Sequence, residues 1–175
     1  MSSLIDGSYI FADCSLTSFN GKLSNVLNLN RAFSNNTDLT SFETDSLRKL
    51  ESAEGAFYNT KLEKWIYDIS SLRDGDNMFY GNTTLTSFTS SLSSLEKGDK
   101  MFYGCKLDEQ SLMNVVDSLP KNDDGEEHKI TIGINCSDNQ EEKDTFAAQA
   151  EYDDWNTLNS VLVSKGWTVT WGFNK

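Results

Sequence analysis

The stretch LTSFTSSLSSLEKGDKMFYGC, residues 85–105, holds two signatures that return along most of the chain: a short LTSF run and a phenylalanine-tyrosine-glycine turn. Aligned on that phenylalanine, Phe11, Phe33, Phe57, Phe79 and Phe102 follow one another at spacings of 22, 24, 22 and 23 residues. Leu16, Leu39, Leu62, Leu85 and Leu107 run beside them at 23, 23, 23 and 22, and Phe19, Phe42, Trp65 and Phe88 keep 23 throughout. Two further series, Leu23, Leu47, Ile69, Leu92 and Val26, Leu50, Leu72, Leu95, complete each unit; the second always stands seven residues before the next phenylalanine. Registers that agree over four full units and the opening of a fifth are the mark of a repeat architecture.

A unit this short cannot close its own core, so neighbours must stack to bury its apolar edge. The predicted fold class is therefore α/β, a solenoid in which each LTSF run is a short strand pairing in parallel with the next at about 4.8 Å per coil. Its leucine and aromatic point inward, the aromatics making two internal columns. Gly55, Gly75 and Gly98 supply tight bends between units. Trp65, standing where the other repeats have phenylalanine, reads as an overfilled rung rather than a binding site.

At Leu107 the period ends. LDEQSLMNVVDSLP predicts a helix capped by Asp108 and stopped before Pro120, with Leu112, Val115, Val116 and Leu119 on one face. A charged loop carrying His128 follows, then a strand at ITIGI, helices near 140–150 and 154–165, the second closed by Gly166, and a final strand at WTVTWGF. Helical crossovers of this length suit parallel neighbours, so the two late strands are expected to continue the LTSF sheet. The expected organisation is a single domain, residues 1–175: five coils of about 23 residues to 107, then a helix-strand-helix-strand cap over 108–175 with larger coils.

Composition narrows the function classes. Apolar residues are 37% of the total, lean for a thick two-layer domain, and the net charge is −12, of which residues 106–175 carry −8. That excess repels phosphate backbones and anionic lipid, which makes nucleic acid and membrane surfaces poor candidates as partners; its plainer reading is solubility. No apolar run reaches the roughly 18 residues of a membrane helix, and the opening MSSLIDGSYIF does not have the layout of a secretory signal.

With the repeat in hand, LTSFTSSLSSLEKGDKMFYGC resembles the repeats of BspA-type leucine-rich-repeat proteins, where an F-Y-G-C-x-x-L-T-S element recurs about every 23 to 26 residues. The likeness covers residues 9–107, with LEKW replacing LTSF in the third repeat. The ending EQSLMNVVDSLP, ITIGIN and KGWTVTW resembles the tail that closes such arrays in phage and prophage tail proteins and in proteins of gut bacteria. The resemblance implies a leucine-rich-repeat solenoid that acts as an adhesive or virion-associated interaction protein, without catalysis or cofactor. Because the opening lacks a signal, a virion component located in the particle, acting in attachment or assembly, is expected before a bacterial cell-surface adhesin fragment. Its partners would be other virion proteins or a host cell-surface protein or glycan.

The chain's own residues give chemistry little purchase. A single histidine, His128, has no second histidine for a metal pair and no serine or cysteine motif beside it. Asp74 and Asp76, and the run Asp123, Asp124, Glu126, Glu127, lack the spacing of a calcium loop and read as solvated turns. Cys14 and Cys105 share one repeat position, filled elsewhere by Asn36, Thr60 and Asn82; four coils apart, about 19 Å by strand spacing, they lie beyond disulfide reach. With Cys136 the count is odd, so reduced structural thiols are expected.

Two surface features remain as binding candidates. Tyr58, Tyr80 and Tyr103 follow the phenylalanines of consecutive repeats and would make an aromatic row, suited to protein or glycan contacts or to covering the solenoid edge. The hydroxyls of Thr17, Ser18, Thr40, Ser41, Thr86 and Ser87 form a ladder, interrupted by Glu63 and Lys64, that could order water or bind sugar and whose favoured reading is to keep an exposed sheet soluble. The last strand offers an unpaired edge through which two copies could associate.

Overall fold

A computed structural model of the chain describes residues 3–173. The LTSF runs become β1 (Ser18–Gly21), β2 (Ser41–Thr44), β3 (Lys64–Trp65) and β4 (Ser87–Phe88). β1 pairs with β2 and β3 with β4, both in parallel, each aromatic beside its counterpart one repeat later: Phe19 beside Phe42, Trp65 beside Phe88. The alternation of an exposed or half-exposed polar residue with a buried aromatic is the two-residue period of a strand, and it lasts only as long as the sequence alternates.

Two more lines of contact tie each repeat to the next. Single parallel bridges run Asp6–Asn28–Ser52–Asp74–Lys97. Along the phenylalanine turns, the N–H groups of Phe11, Phe33, Phe57 and Phe79 donate to the carbonyls of Ala32, Ala56, Met78 and Met101, each at 2.9 Å. Residues two before and two after each phenylalanine take left-handed conformations, as at Gly55 and Asn59, Asn77 and Gly81, and Lys100 and Gly104. That alternation turns every second N–H toward the following repeat: Arg31, Phe33 and Asn35 all donate forward, to Glu54, Ala56 and Tyr58.

The core lies between these lines. Phe11, Phe33, Phe57, Phe79 and Phe102 stack at centroid distances of 5.5, 5.3, 5.8 and 5.7 Å. Phe19, Phe42 and Trp65 stack alongside at 5.3 and 5.7 Å, and the two columns meet edge to face, as where Phe57 touches Phe42 at 4.9 Å and 83°. Such tilted pairs add about 0.5–1.5 kcal/mol each beyond the area they bury. Leu39, Leu62, Leu85, Leu107 and Phe88 are fully buried beside them, whereas Phe11 and Leu16 of the first repeat are only half-buried.

After the fourth strand the chain forms β5 (Gly98–Leu107), α1 (Glu109–Ser118), β6 (His128–Ile134), α2 (Gln140–Gln149), α3 (Trp155–Ser164) and β7 (Trp167–Gly172). Asp108 caps α1 by accepting the Ser111 N–H at 2.8 Å. Gly166 follows α3 with φ +81°. In β6 the even positions Ile130, Ile132 and Ile134 are buried, and so is Thr131.

Three details differ from the reading of the sequence. The late strands do not extend the LTSF sheet: β6 and β7 join β5 in a separate parallel sheet, of order β5-β6-β7, that continues the line of phenylalanine turns. The physical reason is α1, which already occupies the open edge of β4. Ser111 Oγ accepts the Phe88 N–H at 2.8 Å, Asn114 donates to the Phe88 carbonyl at 3.1 Å, and Ser118 Oγ accepts the Leu92 N–H at 3.0 Å. His128 is not in the charged loop but opens β6 and is buried. Finally, the LTSF ladder is not continuous, since β2 and β3 belong to different sheets.

Candidate interaction surface

Each tyrosine of the row follows a buried phenylalanine, so the turn that sends the phenylalanine inward sends its neighbour out. Asn59 N–H donates to the Tyr80 carbonyl and Gly81 N–H to the Tyr103 carbonyl, both at 2.8 Å, which holds the three residues in register. Tyr58 and Tyr80 lie 4.7 Å apart at 7°, and Tyr80 and Tyr103 lie 4.8 Å apart at 13°. Tyr58 and Tyr80 are half-buried and Tyr103 is exposed. Stacked face to face, the rings cover one another's faces and present edges and hydroxyls. None of the three hydroxyls meets a protein partner among the described residues.

Beside the row runs a polar strip. Asn35 donates to Asp13 at 3.0 Å and Asn59 to Asn35 at 3.2 Å, and the same position is glycine in the next two repeats, Gly81 and Gly104. The hydroxyl ladder of Thr17, Ser18, Thr40, Ser41, Thr86 and Ser87 lies on the separate LTSF line, where all six are exposed or half-exposed.

The position shared by Cys14 and Cys105 turns out to serve the backbone of the phenylalanine turns. Asn36 donates to the carbonyls of Phe11 and Phe33 at 2.8 and 2.9 Å, Thr60 to Phe57 at 3.1 Å, and Cys105 to Phe79 at 3.3 Å. All three thiols are free, with Cys14 exposed and the others buried. Burial pushes the Cys105 thiol far above its ordinary range and raises Cys136 to about 11, the latter helped by the Glu142 carboxylate. A thiol so held is protonated and a poor nucleophile.

His128 is likewise engaged. Its Nδ1 lies 2.8 Å from the Glu96 carbonyl, and its Nε2 lies 3.1 Å from both carboxylate oxygens of Asp124. An imidazole donates from both nitrogens only as the cation. The bond to Glu96 and then the Asp124 carboxylate raise its pKa above the ordinary 6.5, against the opposing effect of burial. The result is a fastening between the turn that ends the fourth repeat and the loop before β6. Asp74 is paired with Lys97, and Asp76 accepts the Asp99 N–H at 2.7 Å. No group of three or more acidic, histidine or cysteine side chains among the described residues could hold a metal ion. Among those residues no helix is long and apolar enough to cross a membrane.

The sequence model of the BspA type leucine rich repeat region matches residues 6–122 in six copies. The chain belongs to that family. The match reaches beyond Leu107 and takes in α1, the helix whose side chains stand in for a strand beside β4. No curated protein and no solved structure matches the chain. BspA-type repeats are generally non-enzymatic protein-interaction modules.

Proposed function

We propose that this BspA-type chain is a non-enzymatic interaction module, a solenoid of about 23-residue coils closed by a C-terminal cap and working as one domain, which docks a protein partner on the tyrosine row. The observation that carries the reading is the stack of Tyr58, Tyr80 and Tyr103, even in spacing, with three hydroxyls that meet no partner among the described residues. Aromatic edges with hydroxyls at their tips suit a protein surface, where tyrosine is a frequent anchor. A sugar ring would require an open aromatic face, and the stack hides most of them.

The setting we favour is a virion, in attachment or assembly, with other virion proteins or a host surface protein as partner. It rests on the resemblance of EQSLMNVVDSLP, ITIGIN and KGWTVTW to the tail that closes such arrays in phage and gut-bacterial proteins, and on three free cysteines, one exposed, which fit assembly where thiols stay reduced. The second reading, a bacterial surface adhesin, is favoured by the family itself, whose members are typically found at cell surfaces.

The row can be altered without unfolding the chain: truncating Tyr80 removes two stacked contacts of about 0.5–1.5 kcal/mol each, against about 3–5 kcal/mol for a core ring such as Phe79. The test is particle composition and binding. Purified virions should contain the chain, and a Tyr80→Ser, Tyr103→Ser variant should still fold cooperatively, with a Tm lower by several degrees, yet lose incorporation into particles or particle attachment to cells. Particles without the chain would overturn the setting, and an unchanged double variant would overturn the row.

A further inference from the structure

We propose that copies of this chain stack end to end, the outer edge of β7 in one copy seating on the first described repeat of the next, so that each copy continues the contact lines of its neighbour. The two ends belong to one line. The column of Phe11, Phe33, Phe57, Phe79 and Phe102 passes by strand register to Ile132 in β6, and from Ile132 to Trp171 in β7. Every inner member is fully buried, whereas the terminal two, Phe11 and Trp171, are only half-buried. Each of these lacks the layer that the column supplies everywhere else.

Hydrogen bonding differs at the two ends in a way that fits them to one another. Along the phenylalanine turns the bonds run one way, from N–H groups of one repeat to carbonyls of the next: Tyr9, Phe11 and Asp13 donate to Asn30, Ala32 and Ser34. The corresponding carbonyls of the first described repeat are those of Ser8, Ile10 and Ala12. Among the described residues the first two accept nothing, and the third accepts only the Cys14 thiol, at 3.3 Å. A row of acceptors does not pair with another such row, so two first repeats do not meet face to face. It requires donors. Alternate residues of an edge strand turn their N–H groups outward, and no strand covers the outer edge of β7 among the described residues. The fifth phenylalanine turn already pairs in parallel with the extended strand β6, so a turn of this kind and a strand are compatible neighbours.

Charge selects the same pairing. The chain carries −12 overall, and copies repel wherever their acidic surfaces meet. Residues 7–12 and residues 167–173 contain no charged side chain, so these two ends can meet without that cost. Tyr9 and Ile10 add exposed apolar surface at the first repeat, and Val169 and Phe173 add half-buried surface beside β7. A charged partner would find no ion pair on either strip, whereas a second copy brings to each the layer that it lacks. The contact is one coil in cross-section, which places it among weak associations that fill at high concentration. Because the joined surfaces differ, the contact is heterologous, and every addition leaves one free end of each kind.

The test is sedimentation velocity on the full chain from about 10 μM to about 1 mM. The size distribution should broaden past the dimer as concentration rises. Ile10→Lys at the first repeat, and Thr168→Lys with Thr170→Lys at β7, put charge on exposed positions; each variant should melt cooperatively and stay monomeric. Tyr9→Lys, which puts at this turn position the residue type that Lys100 supplies in the fifth repeat, replaces Ile10→Lys if that variant does not fold. An equimolar mixture of the first-repeat and β7 variants keeps one intact pair of faces, and it should form a dimer and nothing larger. Tyr80→Ser should associate as the unmodified chain does, which separates these ends from the tyrosine row. A monomer at every concentration, a dimer that the first-repeat variant leaves intact, or a mixture that stays monomeric would overturn the proposal.

Discussion

At the scale of single residues, the phenylalanine turn shows how one backbone conformation accepts different side chains for different reasons. The left-handed position after the phenylalanine is Asp13, Asn35, Asn59, Gly81 and Gly104 in successive repeats. Aspartate and asparagine tolerate that conformation through local hydrogen bonds, and here they also link repeat to repeat. Gly81 has a second constraint, because a Cβ placed there would stand 2.3 Å from the Asn59 side-chain oxygen. Gly81→Ala should therefore cost about 1–2 kcal/mol, from the φ of a left-handed residue and from that clash together. Adding Asn59→Gly should return the steric part and not the rest. Urea midpoints of the two single variants and the double variant measure the coupling, and strict additivity would show that the clash is relieved by simple side-chain movement.

At the scale of elements, α1 and β6 divide the end of the repeat array between them. The helix meets β4 and the turn after it through Ser111, Asn114 and Ser118, spaced by three and four residues so that the first two reach Phe88 and the third reaches Leu92. β6 takes the phenylalanine-turn line, and its first residue, His128, fastens the preceding loop. Because the folded state raises the His128 pKa, its contribution to stability is fully present below the unfolded value of 6.5 and is lost as pH rises through the folded value. Thermal unfolding followed from about pH 5 to about pH 9 should show the chain losing stability on the alkaline side, a loss that His128→Asn should flatten. A profile identical in both would show that the cation is not what holds the loop. The helices were legible because their caps and apolar faces are written locally. The partner of the late strands was not, since it depends on which edge α1 had already covered.

At the scale of the whole molecule, the repeats are joined along three lines, and β7 ends one of them with an edge that pairs with no other strand among the described residues. Its residues Thr168 and Thr170 are exposed, and Val169 and Trp171 are half-buried. An open edge of this kind invites a second strand. Light scattering during size-exclusion chromatography should reveal self-association that rises with concentration, and Thr168→Lys with Thr170→Lys, charges on the exposed positions of the edge strand, should abolish it. A monomer at every concentration would rule the edge out as a contact.

The sequence by itself determined the repeat, its register, the identity of the core rings and the order of the later elements, because each follows from spacing, caps or alternation within a few tens of residues. The tyrosine row was visible in the same way, as a position that recurs beside the phenylalanine. Only the tertiary structure decided how the rings of that row lie on one another, where β6 and β7 attach, that His128 is clamped between Glu96 and Asp124, and that the ladder opens between β2 and β3. These outcomes turn on competition for hydrogen-bonding edges between segments far apart in the chain. Ser111 and Tyr67 win such edges with side-chain hydroxyls, and no periodicity announces that a side chain will displace a backbone partner.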